Sequence, residues 1–436
     1  MDPSRLPATQ ALPLIQSNKL TVESYARSLL SRISSRDATV KAWAYLDPDA
    51  ILDQARRLDK IPPDQRGPLH GIPIGVKDVI YTKDMPTQHN SPLYKDSHVA
   101  ADAASVAILR AAGALIFGKT TTTEFAAMVV GPATTNPHDP TRTPGGSSSG
   151  SGAAVADYQV PLAVGTQTGG STIRPGSFNG VYALKPTWGA VSREGQKVYS
   201  LTLDTIGLFA RGVGDLRLLA GVLGVQDDSV PLFEGVRGAR FGVVKGPVWD
   251  LAGQGTIGAL AKATELLGKH GAVVEDIVLP DEFNNMPDWH SKIMAADGRV
   301  SFLSEYRTDK TQIHEMLVGQ VENGKGLSRA EELAAFDGVA SLRPRIDEIA
   351  GRYAALLTPS VVDEAPLGIA NTGSAAFNGM WTALHTPVVN VPGFKGENGM
   401  PIGVSLVAAR YRDQHLLAVA EAVGRIFEEG GWKSAL

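Results

Sequence analysis

Hydrophobic and polar positions alternate along this chain in two rhythms, and the switches between them mark its elements. Leu12, Ile15, Leu20, Tyr25, Leu29 and Ile33 recur at helical intervals, which predicts helices over residues 6–60. Thr21, followed three positions later by Ser24, marks a fresh helix start. Gly71-Ile-Pro-Ile-Gly-Val-Lys77-Asp-Val-Ile80 then reads as a strand that is apolar on both faces and interrupted by one lysine. Asp102 is placed as the N-cap of a helix through Val106 and Leu109, with Gly113 as its stop. Ala114-Leu-Ile-Phe117 follows as a short buried strand. Helix then strand with a tight link is the rhythm of an α/β domain with largely parallel strands.

Further strands are predicted at 180–186, 201–207, 240–244, 272–277, 355–358, 387–391 and 401–407, with a helix over Thr256–Leu267 and a final amphipathic helix from Asp413 to Phe427. Residues 284–353 change character: they are polar, helical and carry Trp289, Phe302 and Tyr306, with Ser328 and Glu331 at capping-box spacing. They read as a helical insert forming one wall of a pocket. Neither a low-complexity linker nor an internal repeat divides the 436 residues. One large domain, 1–436, is therefore expected, with N-terminal helices at 1–65 and a core at 66–215. Its fold class is α/β: a mostly parallel or mixed central sheet covered by helices on both faces.

Composition narrows the chemistry. Hydrophobic residues make up 43% and charged residues 20%, which excludes a disordered chain. The net charge of −4, without a Lys/Arg stripe, argues against a nucleic-acid partner. There is no cysteine, which removes disulfides, thiolate metal ligands and a cysteine nucleophile together. The nine histidines show no His-Glu-x-x-His spacing, so no metal is expected. Met1-Asp-Pro-Ser-Arg-Leu lacks a signal-peptide pattern and no apolar run reaches bilayer length. The expectation is a cytoplasmic protein with no membrane partner, acting as a monomer or homodimer.

The chemistry concentrates in 144–177. Pro144-Gly-Gly-Ser147-Ser-Ser-Gly-Ser-Gly-Ala-Ala-Val-Ala156 and Gly165-Thr-Gln-Thr-Gly-Gly-Ser171-Thr-Ile-Arg174-Pro-Gly-Ser177 flank a segment that contains Val160-Pro-Leu-Ala-Val164. Gly/Ser-rich stretches are commonly flexible linkers, but a linker would not enclose a buried helix and a buried strand. The two segments read as ordered turns. Exposed N–H groups in such turns form an anion-binding concavity, and a hydroxyl at its mouth has the makings of a nucleophile beside an oxyanion hole.

Two other patterns match by letter. Gly113-Ala-Leu-Ile-Phe-Gly118-Lys119-Thr120 fits a P-loop, yet its intervening residues form the strand itself, so its N–H groups are spent in a sheet. Gly146-Ser-Ser148-Ser-Gly150 fits a nucleophile elbow. That needs an upstream oxyanion loop and a downstream acid and histidine; His385 is available, but the loop is missing.

The run from Pro144 to Pro186 resembles the amidase signature family. Gly71–Asp78, Gly118–Phe125, Thr141–Ser151, Trp381–Pro392 and Gly399–Val407 extend the resemblance over about residues 10–428. It implies a cofactor-free serine amidohydrolase acting on a small-molecule amide, ester or carbamate. Carried over by motif, Ser171 is the nucleophile, Ser147 a bridging cis-serine and Lys77 the ultimate base. The N–H groups of Thr168, Gly169, Gly170 and Ser171 would form the oxyanion hole. Ser149, Gln167 and Asn179 depart from the common pattern without touching these positions. Met128 and Val129 are candidate pocket residues. Arg174 either meets a substrate carboxylate or holds the loop. The family's glutamyl- or aspartyl-tRNA amidotransferase subunit is the alternative within it, and a catalytically silent ligand-binding protein is the alternative outside it. For the chemistry to run, Lys77 must be neutral; desolvation in an apolar strand favours that form.

Overall fold

A computed structural model describes residues 2–229 and 233–436. Its eleven strands are β1 Trp43–Tyr45, β2 Pro73–Lys77, β3 Leu115–Thr120, β4 Leu162–Gln167, β5 Tyr182–Lys185, β6 Thr205–Ala210, β7 Arg240–Val243, β8 Val273–Asp276, β9 Ala355–Pro359, β10 Val388–Lys395 and β11 Pro401–Val407. They join one mixed sheet in the order β1-β3-β2-β4-β6-β5-β10-β11-β9-β7-β8. The mixed α/β architecture is the expected one, and its parallel pairs fall into two groups. β3-β2-β4 run parallel near one edge and β9-β7-β8 near the other, while β4-β6-β5-β10-β11-β9 pair antiparallel between them.

Burial explains why the central strands lack a polar face. β2, β3, β4, β6 and β11 are buried at every residue, because helices cover the sheet and leave no wet side. Helix Ser149–Ala156 packs on β2, β3, β4 and β6, and helix Ile173–Phe178 on β5, β10 and β11. The first is built from small residues because it sits almost on the sheet. A Cβ on Gly150 would fall 2.1 Å from the Ala42 carbonyl oxygen and 2.4 Å from the Thr121 nitrogen. Helices Val22–Val40 and Pro48–Asp59 pack on each other, the latter also on β3, and Asp413–Phe427 lies on β10. Among the described residues no helix is long and apolar enough to cross a membrane.

Local rules hold where the chain itself supplies the partner. Thr21 accepts the Ser24 N–H at 3.0 Å, Ser328 and Glu331 close a capping box, and the last helix is Asp413–Phe427. The expected cap at Asp102 is not formed. The helix starts one residue later, after Ala103, and the Asp102 carboxylate instead accepts from Lys83 N at 3.0 Å and pairs with Arg110 at 3.2 Å. The predicted strand at 201 begins only at Thr205, since 201–203 turn to bring Asp204 inward. Residues 284–353 form helices Met286–Ser301, Leu303–Asp309, Glu315–Val321 and Arg329–Ala350. The first and last of these share a second core with Ile173, Trp381 and Leu356.

Phe209 of β6 is fully buried between β4 and β5. Truncating it leaves a cavity that the close-packed sheet cannot collapse. Phe209→Ala is expected to cost about 3–5 kcal/mol, read as a fall in the midpoint of chemical denaturation with native circular dichroism retained below it.

Candidate active site

Three parallel strands end together, and the C-terminal end of such a group is where an open α/β sheet offers a site. β2 ends on Lys77 and β4 on Gln167, with the 168–172 turn directly after it. Ser147 and Ser148 lie just before helix Ser149–Ala156, in the turn that crosses this end. Gly165 makes the approach possible, because a Cβ there would stand 2.6 Å from Ser148 Oγ.

Lys77 is fully buried, and its Nζ has three hydroxyl neighbours: Ser147 Oγ at 2.7 Å, Thr166 Oγ1 at 2.8 Å and Ser148 Oγ at 3.0 Å. Hydrogen-bond bookkeeping assigns directions. The Ser148 hydroxyl donates to Thr166 O at 3.1 Å and accepts from Thr166 N at 3.2 Å. Its proton is committed, so Lys77 donates to Ser148. A neutral amine has two N–H donors and one lone pair. With one donor on Ser148, the second donor and the lone pair divide between Thr166 and Ser147. Burial drives the Lys77 pKa well below the ordinary lysine value; the Asp204 charge opposes the shift and the Arg174 charge adds to it.

The two serine turns are tied at several points. Ser148 N–H donates to Ser171 O at 3.3 Å, and the Gly146–Ser147 peptide is cis. Asn179 donates to Pro144 O and Pro175 O, both at 2.7 Å. Gln167 accepts from Thr172 N at 2.8 Å and Ile173 N at 3.0 Å and donates to Thr382 Oγ1 at 3.0 Å, bracing the second turn from inside. Ser149 Oγ donates to Gly145 O at 2.8 Å. Ser171 keeps 8% exposure, against 2% for Ser147. The N–H groups of Thr168, Gly169, Gly170 and Ser171 donate to no protein acceptor among the described residues. By contrast, Thr168 O accepts from His290 Nε2 at 3.0 Å and Gly169 O from Thr382 Oγ1 at 2.8 Å.

The structure thus brings Lys77, Ser147, Ser148, Thr166 and the 168–171 turn together. The three expected substrate contacts separate. Val129 borders a cavity of about 500 Å³ shared with Ala127, Met294 and Gln320. Met128 is buried behind it with Phe125, Tyr199 and Phe302. Arg174 is turned away from substrate: its guanidinium donates to Gly373 O at 2.9 Å, to Thr372 Oγ1 at 3.3 Å and to the Gly146 carbonyl that precedes Ser147. It holds the first serine turn, and burial lowers its pKa to about 10. A second cavity, of about 350 Å³, lies against Gly246, Pro287 and Phe377. His290 borders both cavities, and neither is lined by Ser171 itself.

Four participants were not given these roles from sequence. Ser148 figures there only as an elbow serine and Thr166 flanks Gln167; hydroxyl chemistry alone would have flagged both. Asp204 and His290 carry no local signal. Asp204 is buried with its pKa raised to about 6, chiefly by desolvation; it accepts from Thr168 Oγ1 at 2.6 Å and Tyr199 N at 2.7 Å. The two letter matches dissolve. Gly118-Lys119-Thr120 lies inside β3, with Lys119 paired to Asp78 at 3.2 Å. His385 bonds Thr202 O at 2.8 Å and stacks on Trp188, away from Ser148.

This arrangement matches known proteins over the whole fold. The sequence model of the Amidase family covers residues 25–417. The chain belongs to the Amidase family. A glutamyl-tRNA(Gln) amidotransferase subunit of Chloroflexus aurantiacus is 31% identical, with 97% of each chain covered. The structure of a peptide amidase from Stenotrophomonas maltophilia superposes with a TM-score of 0.79 at 26% identity, covering 97% of each chain. A structure described as revealing the origins of an s-triazine catabolic enzyme gives a TM-score of 0.86 at 26% identity, covering 99% of this chain and 100% of the other.

Burying Lys77 has a cost whose pH dependence can be measured. Its folded pKa lies below the unfolded value near 10.5, so the unfolded chain binds the extra proton and native stability rises with pH between those two values. Lys77→Met removes this dependence. Relative to Lys77→Met, the wild type is expected to gain stability as pH climbs toward 10.5, seen as converging denaturation midpoints; midpoints that stay parallel would show an unperturbed lysine.

Proposed function

We propose that the protein hydrolyses the C–N bond of a small-molecule amide, with esters or carbamates as related substrates, through an acyl-enzyme on Ser171. The observation that carries this reading is a fully buried lysine ringed by three hydroxyls, Ser147 nearest at 2.7 Å, beside a turn whose four N–H groups have no protein acceptor among the described residues. Ser171 attacks the carbonyl as its proton passes to Ser147, whose own proton passes to Lys77. The N–H groups of 168–171 receive the oxyanion, and protonated Lys77 returns a proton through Ser147 to the leaving amine. Water then attacks the acyl carbonyl, and the same relay in reverse frees the acid. No cofactor or metal enters this scheme.

The 284–353 helices shape the acyl and leaving-group space in this reading, since His290, Met294 and Gln320 border the cavities. That space is largely apolar, and Arg174, three residues from Ser171, is spent on backbone carbonyls. This supports an uncharged amide over a carboxylate-bearing one. The reading also takes the protein as cytoplasmic. The full-length similarity to the amidotransferase subunit favours a second reading, in which the chain works with partner subunits on a tRNA-linked substrate. The net charge of −4 weighs against it. Release of ammonia from simple amides by the isolated chain supports the first reading. Inertness alone, with activity restored by partner subunits, supports the second.

A fluorophosphonate probe is expected to label Ser171, as mapped by peptide mass spectrometry, and Ser171→Ala is expected to take no label. Labelling of wild type at another serine would overturn the assignment. Because the base must be unprotonated, kcat/KM is expected to rise with pH through the lowered Lys77 pKa. The Asp204 charge raises that pKa, so Asp204→Asn is expected to move the rising limb to lower pH. A limb that moves upward or stays fixed would remove Asp204 from the electrostatics of the base.

A further inference from the structure

A third cavity, of about 330 Å³, is lined by Thr187, Trp188, Thr202, Arg343, His385 and Arg410 together with Tyr411. No carboxylate lines it. Its two guanidiniums are unevenly satisfied. Arg410 places Nε and one terminal nitrogen on Asp347 Oδ2, at 2.8 and 2.6 Å. Its other terminal nitrogen has no protein acceptor among the described residues. Arg343 has no carboxylate partner there at all: only its Nε is engaged, on Ala383 O at 3.1 Å. Both of its terminal amino groups remain available. The Trp188 indole N–H, from the same lining, is buried without an acceptor.

The carboxylates of the neighbourhood are spent elsewhere. Asp413 accepts from Thr187 N and Oγ1 at 2.8 and 2.6 Å, and Asp297 accepts from Thr202 Oγ1 at 2.7 Å. Two guanidiniums line one hollow, and among the described residues only Arg410 has a carboxylate partner, Asp347, which leaves positive charge in excess and donors unused. The field is felt by its neighbours. Burial first, then the Arg410 charge, lowers the Arg343 pKa to about 10. Burial, with Arg343 as the next cause, lowers that of His385 to about 3. A planar or tetrahedral oxyanion answers both deficits, because guanidinium forks match carboxylate and phosphate geometry.

We propose that this cavity is a binding site for a small oxyanion, a phosphate or a carboxylate, held by the terminal amino groups of Arg343 and the free terminal nitrogen of Arg410. It shares no lining residue with the two cavities that His290 borders.

The test is titration of the full chain with inorganic phosphate, and separately with succinate, at constant ionic strength in chloride, followed by calorimetry. One-site saturable binding is expected for at least one of the two anions. Which of them binds more tightly identifies the group that the site prefers. Arg343→Gln is expected to weaken that binding by about tenfold or more. Absence of saturable binding of either anion up to about 10 mM, a range that spans weak specific sites, would overturn the proposal, as would unchanged affinity in a folded Arg343→Gln protein. A wild-type crystal soaked in selenate gives a readout that does not depend on the variant folding. An anomalous peak between the two guanidiniums supports the site, and an empty cavity contradicts it.

Discussion

A primary amine buried completely from solvent is the constraint from which the rest of this site follows. Lys77 ends a strand that is buried at every residue, so its charged form lacks the hydration that would hold it. The protein supplies three hydroxyls instead of a carboxylate. That choice matters chemically. A carboxylate at this distance would hold the lysine as an ammonium, whereas hydroxyls satisfy an amine in either protonation state and leave it free to change. Lys119, on the neighbouring strand β3, shows the contrast. It is equally buried but paired with Asp78, and its pKa is lowered only to about 8.

Keeping such a base useful requires rigid surroundings, and the glycine-rich turns are less loose than their composition suggests. Asn179 ties Pro144 to Pro175, Gln167 caps the residues that follow Ser171, and Arg174 grips the carbonyl just before Ser147. Small residues let the backbone approach, and buried polar side chains then fix what has approached. The second turn leaves its N–H groups without protein acceptors among the described residues while the carbonyls of Thr168 and Gly169 are held by His290 and Thr382. That polarity suits a developing oxyanion.

Much of this was legible in the sequence, for identifiable reasons. Strands with apolar residues on both faces, the capping box at Ser328 and the last helix depend on local pattern. The serine turns were legible because glycine and serine concentrate at 144–152 and 165–177 around segments apolar enough to be core. Other features were not, because their partners are remote in the chain. β1 is three residues long and exists through pairing with β3. The antiparallel middle of the sheet is set by which strands meet, not by any one strand. Asp102 has the composition of a cap but finds Lys83 and Arg110 closer to hand. Asp204 and His290 reach the site from turns and helices whose sequences carry no sign of it. Arg174 stood three residues from Ser171 in sequence, yet its role depends on carbonyls at 146 and 373 that only the fold brings near.

The charge state of Lys77 in the resting protein is the most direct measure of this account. Selective ¹³C labelling of lysine at Cε, with Lys77→Met to assign the resonance, allows its titration to be followed by NMR. A titration shifted well below the lysine value near 10.5 is expected. An ammonium that persists until about pH 10.4, as in an unperturbed lysine, would contradict it.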